Sequence, residues 1–202
     1  MALLRSNNKQ KIINGLMNAS LDDETIERIT TLQNEIGVLC STKVIAITSI
    51  KNDDLAVAFA KAFAGAYSVN NEKTLLIDAN LYNPLLRHAL KEAEGEKSEG
   101  YRITRVDDNT NAVCLNKETY PSEVLKGGLV QKIIEENKNG YDHFVVLVPA
   151  IKDHKEIVLL KDVITAVVLV AQKNVTKKEH IYNAIQYCAA NQLPLAKTVI
   201  LK

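Results

Sequence analysis

Two rhythms of apolar residues run along this chain. Between Ser20 and Leu39, Ile26, Ile29, Leu32, Ile36 and Leu39 recur at spacings of three and four, the mark of a helix with one buried stripe. Ser20 stands at the capping position, Asp23 at the capping-box position, and Asp22, Asp23 and Glu24 fill the first turn, where the helix dipole favours acids. From Lys43 the rhythm changes to short apolar runs separated by amphipathic stretches. The runs predict strands at Val44–Ser49, Thr74–Asp78, Ala112–Leu115, Phe144–Val148, Ala166–Ala171 and Thr198–Leu201. The stretches between them predict helices at Asp54–Tyr67, Pro84–Lys91, Ser122–Asn137 and Lys177–Asn191. Glu92–Asn111, with Glu92, Glu94, Glu96, Lys97 and Glu99, is polar and predicts a solvated, disordered loop. Strands alternating with helices imply right-handed crossovers and a three-layer α/β/α domain around a mostly parallel sheet. One domain is expected over residues 20–202, preceded by a polar arm over 1–19.

Composition narrows the choice of partner. The chain has 202 residues, 47% of them hydrophobic, enough for a sizeable core. With 25 Lys+Arg against 24 Asp+Glu, its net charge of +1 favours neither nucleic acid nor an anionic membrane. The longest apolar run, Val163 to Ala171, falls far short of the ~20 residues that cross a bilayer, so direct membrane insertion is not expected. Cys40, Cys114 and Cys188 are widely spaced and form no CxxC pair, which predicts reduced thiols acting as small core hydrophobes in a cytoplasmic protein. His88, His143, His154 and His180 lack the paired spacing of a metal site; Glu179-His180 and His154-Lys155-Glu156 read as solvated helix or loop residues. Gly127-Gly128 reads as a loop within the Ser122–Asn137 region, and Lys173, Lys177 and Lys178 as a solvated basic face. No nucleophile elbow and no dinucleotide fingerprint is present.

Four stretches, taken in order, carry a resemblance. Lys43-Val-Ile-Ala-Ile-Thr-Ser49 is followed by an alanine-rich segment, Leu55–Ala64. Lys73-Thr-Leu-Leu-Ile-Asp78-Ala-Asn80-Leu-Tyr82-Asn-Pro84 is a strand ending in an acid and then a proline. Tyr120-Pro121-Ser122-Glu123-Val124-Leu125 precedes Gly140-Tyr141-Asp142, and Phe144-Val-Val-Leu147-Val148-Pro149-Ala150 closes a further strand. The series resembles the cytoplasmic bacterial tyrosine kinases of capsule and exopolysaccharide synthesis, within the MinD/ParA-like branch of P-loop ATPases. The third stretch resembles those kinases more than generic MinD or ParA proteins. The resemblance covers about residues 20–202 and implies a P-loop NTPase-like fold.

Against that family pattern the chemical parts are missing. A phosphate loop uses glycines to curl backbone N–H groups round a phosphate, a lysine to neutralise it and a hydroxyl to ligate magnesium. Between Ser49 and Leu55 stand Ile50-Lys51-Asn52-Asp53-Asp54, with no glycine and about four residues fewer than the family's loop. Asp53 and Asp54 put carboxylates at the helix start that would otherwise attract phosphate, and one of them is expected to cap the helix. In the second acidic motif Asp78 remains, while the family's second aspartate falls on Asn80 and its arginine on Tyr82. In the Walker B strand the aspartate falls on Leu147 and the threonine on Val148. Lys51, Asn52, Asp53, Asp54, Asp78 and Asn80 are therefore the positions of a degenerate nucleotide site, with Asp78 expected to serve as a strand-end structural residue.

Regulation differs too. The seven tyrosines are dispersed and Lys202 follows the last predicted strand directly, so the family's tyrosine-rich tail is not expected. Glu24, Glu27 and Arg28 do not repeat the family's Glu-x-x-Arg-x-x-Arg spacing, which argues against ring assembly by that device.

The expectation is thus a pseudoenzyme: no catalytic residues, no cofactor, no metal, and a role as an interaction or regulatory module in exopolysaccharide or capsule biosynthesis. Its partner would be a membrane adaptor or an active kinase paralogue that recruits it to the inner face of the membrane, and homo-oligomer formation stays open. The rivals are an ATPase or tyrosine kinase binding ATP through an atypical loop, and a MinD/ParA-like positioning protein.

Overall fold

The computed structural model describes residues 23–39, 44–83, 86, 95–98, 100–115, 125 and 128–201. The expected arm over 1–19, the Ser20 cap, Cys40 and, apart from Leu86, the helix expected over Pro84–Lys91 lie outside them. In chain order the elements are α1 (Asp23–Leu39), β1 (Val44–Ser49), α2 (Asp53–Val69), β2 (Thr74–Asp78), β3 (Gly95–Ser98), β4 (Tyr101–Arg105) and β5 (Thr110–Leu115). They continue with α3 (Leu129–Asn137), β6 (His143–Leu147), a 3-10 turn (Glu156–Leu160), β7 (Ala166–Gln172), α4 (Lys178–Ala190) and β8 (Leu195–Leu201). The strands make one eight-stranded sheet in the order β3-β4-β5-β2-β6-β1-β7-β8. It is parallel except where β4 pairs antiparallel with β3 and β5.

The period of two along a strand decides which layer each side chain joins. On β1, Ile45 and Ile47 enter the core beneath α1 and α2, with Phe59, Phe63, Val145 and Val168. Val44 and Ala46 enter the opposite core, beneath α3, the 3-10 turn and α4, with Ile133, Ile157, Val146 and Cys188. Both faces of the central strands are covered, which is why they read as unbroken apolar runs. The expected three-layer α/β/α architecture is the one observed.

The stretch expected to be a loop over Glu92–Asn111 is corrected. It contains β3, β4 and the first two residues of β5, turned at Gly100, whose φ of +89° suits a residue without a side chain. The hairpin was hidden because Arg102 and Arg105 interrupt its apolar residues and only Tyr101 and Thr104 of β4 are buried. Tyr101 reaches across to donate its hydroxyl hydrogen bond to Glu136 at 2.9 Å. The Gly127-Gly128 reading is refined: Gly128, with φ +71°, is the cap residue from which α3 starts. Cys114 and Cys188 are buried, as expected, and burial pushes the Cys188 thiol up to about 11 against the opposing pull of Lys155. No helix among the described residues is long and apolar enough to cross a membrane.

Candidate functional site

In an open parallel sheet, ligands bind beyond the carboxyl ends of the strands, where neighbouring strands send their chains in different directions. Here that place lies beyond β1, with β6 on one side and β7 on the other, and β2 next to β6. Lys51, Asn52, Asp53, Asp54, Asp78 and Asn80, the residues expected from sequence to mark a nucleotide position, all come to it. Its backbone is closed rather than looped. Ile50 N–H donates to Val170 O at 2.9 Å, Ile151 N–H to Ser49 O at 2.9 Å and Lys152 N–H to Ile50 O at 3.2 Å. Only Ile50, Lys51 and Asn52 connect β1 to α2. These bonds tie the outgoing chain to both neighbouring strands, so the connection cannot arch into a phosphate cradle without breaking them.

The helix start is organised differently from the sequence expectation. Asn52 is the cap residue of α2, with extended φ and ψ and no side-chain capping bond, so neither aspartate caps the helix. Asp53 lies within the first turn and its Oδ1 accepts a hydrogen bond from the Ala150 backbone N–H at 3.0 Å. The carboxylate is drawn away from the cap because that buried N–H, just past the end of β6, needs an acceptor. A side-chain anion therefore bridges α2 to the segment after β6. Asp54, Lys51 and Asn52 are exposed. Asn52 reaches Gln172 Oε1 at the end of β7 through its Nδ2, at 3.4 Å.

Removing the Asp53 carboxylate leaves the Ala150 N–H buried without its acceptor. Asp53→Ala is expected to cost about 1–3 kcal/mol of stability, and Asp53→Asn, which keeps an acceptor oxygen, less. Urea unfolding of the two variants checks this; an Asp53→Ala protein as stable as the parent would remove the bridge from the argument.

Beyond β2, Asp78 is buried and its Oδ1 accepts the Asn80 N–H at 3.2 Å, while Asn80 Oδ1 accepts the Asn83 N–H at 3.2 Å. Asp78 thus sits where expected, at the strand end, bonded to local backbone. Ser49 Oγ and Asn80 Nδ2 are buried and meet no hydrogen-bond partner among the described residues. Leu147 and Val148, where the resemblance led us to expect the Walker B residues, are fully buried in the hydrophobic core. Thr48 turns its hydroxyl inward to Pro149 O at 2.7 Å.

The mouth of the crevice is bridged by three residues that were not among the expected site positions. Tyr82, from the segment after β2, hydrogen-bonds through its hydroxyl to the Glu156 carboxylate and stacks its ring on His154 at 3.8 Å. That hydrogen bond holds the Tyr82 phenol above its usual range. His154 and Glu156 are therefore engaged rather than solvated, which corrects the loop reading. No local signal marks such a bridge, since it joins chain segments more than seventy residues apart. A backbone donor such as the Ala150 N–H has no signature in sequence at all. Among the described residues no group of three or more His, Cys, Asp or Glu is placed to hold a metal ion.

Neither protein-family models nor curated protein sequences match this chain. Solved structures do. The kinase domain of the Escherichia coli tyrosine kinase ETK superposes with a TM-score of 0.74 at 15% identity, covering 87% of this chain and 74% of that one. The VpsO kinase domain gives 0.73 at 16% identity, covering 88% and 94%. A ParA family ATPase from Chlorobium tepidum gives 0.60 at 14% identity, covering 79% and 72%. The fold is that of the bacterial tyrosine-kinase domains, with the ParA-type ATPases as further structural neighbours.

Proposed function

We propose that this chain is a catalytically inactive protein built on the fold of the bacterial tyrosine kinases, serving as an interaction or regulatory module. The observation that carries the reading is the bridge from Asp53 to the Ala150 N–H beside a three-residue β1–α2 connection. Phosphoryl transfer is almost entirely positioning and electrostatic stabilisation of a highly charged group. At this position the chain offers carboxylates at a helix start and leucine at the Walker B aspartate, so both the binding and the stabilising charges have the wrong sign or none. The setting, exopolysaccharide or capsule assembly, follows from the resemblance, as does the partner: a membrane adaptor or an active kinase paralogue. Such a partner would recruit the chain from the cytoplasm to the inner face of the membrane.

Calorimetric titration with ATP and with ADP, each with magnesium, tests this. A ligand at 100 times its Kd adds about 2.7 kcal/mol to the native state, so a thermal-shift measurement is an independent check. The expected result is no heat and no rise in Tm at millimolar nucleotide. Micromolar binding of either nucleotide would overturn the reading and return the chain to the enzymes.

A further inference from the structure

A second concavity lies on the other side of β1 from the Asp53 bridge. Its volume is about 180 Å³, and Ile50, Ile151, Lys152, Lys155, His180 and Asn183 line it, between the segment after β6 and the second turn of α4. Ile50 belongs to the core beneath α4, whereas Asp53 opens α2 on the opposite face. The two places are therefore separated by the sheet's own edge.

The lining has a division of labour. Ile50 and Ile151 are fully buried and give an apolar floor, while Lys152, Lys155, His180 and Asn183 give the rim its donors, with no carboxylate among the lining residues. Lys155 is held in place at both ends. Its Nζ donates to Ile151 O at 2.6 Å and lies 4.3 Å from the centre of the Tyr187 ring, and the Tyr187 hydroxyl donates to Lys155 O at 3.0 Å. An ammonium has three N–H donors, so one bond to a carbonyl leaves capacity for a ligand without the entropy of first ordering the side chain. The neighbouring carboxylate, Glu156, accepts the Tyr82 hydroxyl, and Lys155 makes its contacts with Ile151 O and the Tyr187 ring instead. Two lysine ammoniums exceed what a monoanion needs. The volume compares with the roughly 150 Å³ cavity that takes up a benzene, and is too small for a nucleotide.

We propose that this pocket binds a small phosphomonoester, its phosphate held by Lys152, Lys155, His180 and Asn183 and its organic body on Ile50 and Ile151. The inference goes beyond the function proposed above and holds whether or not ATP binds.

Phenyl phosphate, titrated into the isotopically labelled protein and followed by amide chemical shifts, is the test. Saturable shifts are expected in the millimolar range, centred on Ile151, Lys155 and the His180–Ala184 turn. Lys155→Gln is expected to weaken binding roughly tenfold, the loss of one charge-assisted hydrogen bond. Lys132→Ala, on α3, removes the same net charge away from the pocket and is expected to leave affinity unchanged. Should Lys155→Gln fail to fold, Lys152→Ala at an exposed position decides, with a smaller weakening expected. Shifts that do not saturate, or that centre on Lys51–Asp54, overturn the proposal. So does a Lys155→Gln or Lys152→Ala protein that binds as tightly as the parent, or a Lys132→Ala protein that loses as much affinity as they do.

Discussion

Placing an acid by Leu147→Asp at the position we propose to correspond to the Walker B aspartate is expected to unfold the protein rather than to recruit magnesium. Leu147 is fully buried, closes β6, and stands in register with Ile47 on one side and Asp78 on the other. Its carbonyl accepts the Ala79 N–H at 2.9 Å, so the backbone there cannot swing the new side chain toward solvent without losing a sheet bond. The substitution removes a leucine from the core, worth about 2–5 kcal/mol. It also puts a carboxylate into that apolar space beside Asp78, worth a further 3–5 kcal/mol or so, since desolvation and a like charge both disfavour its ionisation. The sum rivals the entire stability of an ordinary domain, about 5–15 kcal/mol. Circular dichroism and urea unfolding read the outcome, with Leu147→Val as the volume-sensitive control that keeps the fold. A folded Leu147→Asp protein with the parent's Tm that binds magnesium and ATP would mean that the site is one residue away from function, and the pseudoenzyme reading would fall.

The strands around that position were the easiest part to read from sequence, for a physical reason. β1, β2, β6 and β7 are covered on both faces, so each is a run of Val, Ile, Leu and Ala, and β1 and β2 have the limits that pattern predicts. The limits slip where burial is one-sided. β8 starts at Leu195 rather than Thr198 because it is an edge strand whose residues are only partly buried, and Lys197 within it pairs with Glu35 of α1 at 2.7 Å. β3 and β4 went unread because Arg102 and Arg105 break the apolar run of β4 and look like loop. The turn at Gly100 followed by Tyr101, Ile103 and their polar neighbours was the available signal.

The candidate site divides along the same line. That Lys51, Asn52, Asp53, Asp54, Asp78 and Asn80 lie at or just past two strand ends was legible, because each is fixed by its distance from the end of β1 or β2. What those side chains do was not. Asp53 or Asp54 was expected to cap the helix because local sequence knows only local N–H groups; the donor that Asp53 takes, Ala150, lies ninety-seven residues away. Nor does the sequence mark the pocket, since Lys155 and His180 come together only once α4 lies across the end of β1.

Phe63→Ala is expected to be the most damaging change to α2, and it tests what that helix is for. With Asp53 bound to the Ala150 N–H and Asp54 exposed, α2 is expected to serve chiefly as the cover of one face of the sheet. Ala56, Ala60 and Ala64 let the helix approach the strands closely, and Phe59, Phe63 and Tyr67, spaced by four, form a ladder of rings along it. Phe63 is its middle rung, fully buried, 5.7 Å from Phe59 and 5.5 Å from Tyr67 in an edge-to-face pair. The same residue anchors α1, because buried Gln33 donates its Nε2 hydrogen bond to Phe63 O at 2.7 Å. Truncating the ring leaves a cavity shared by two helices and the sheet, at a cost of about 3–5 kcal/mol. For a domain of this length that lowers Tm on the order of 10 °C. Phe63→Leu, which refills most of the space, is expected to lose far less. Denaturant unfolding separates the two, with the slope unchanged if both variants remain cooperatively folded. A Phe63→Ala protein within about 1 kcal/mol of the parent would mean that α2 is not a structural wall, because a fully buried aromatic cannot be removed that cheaply from a helix that holds the core.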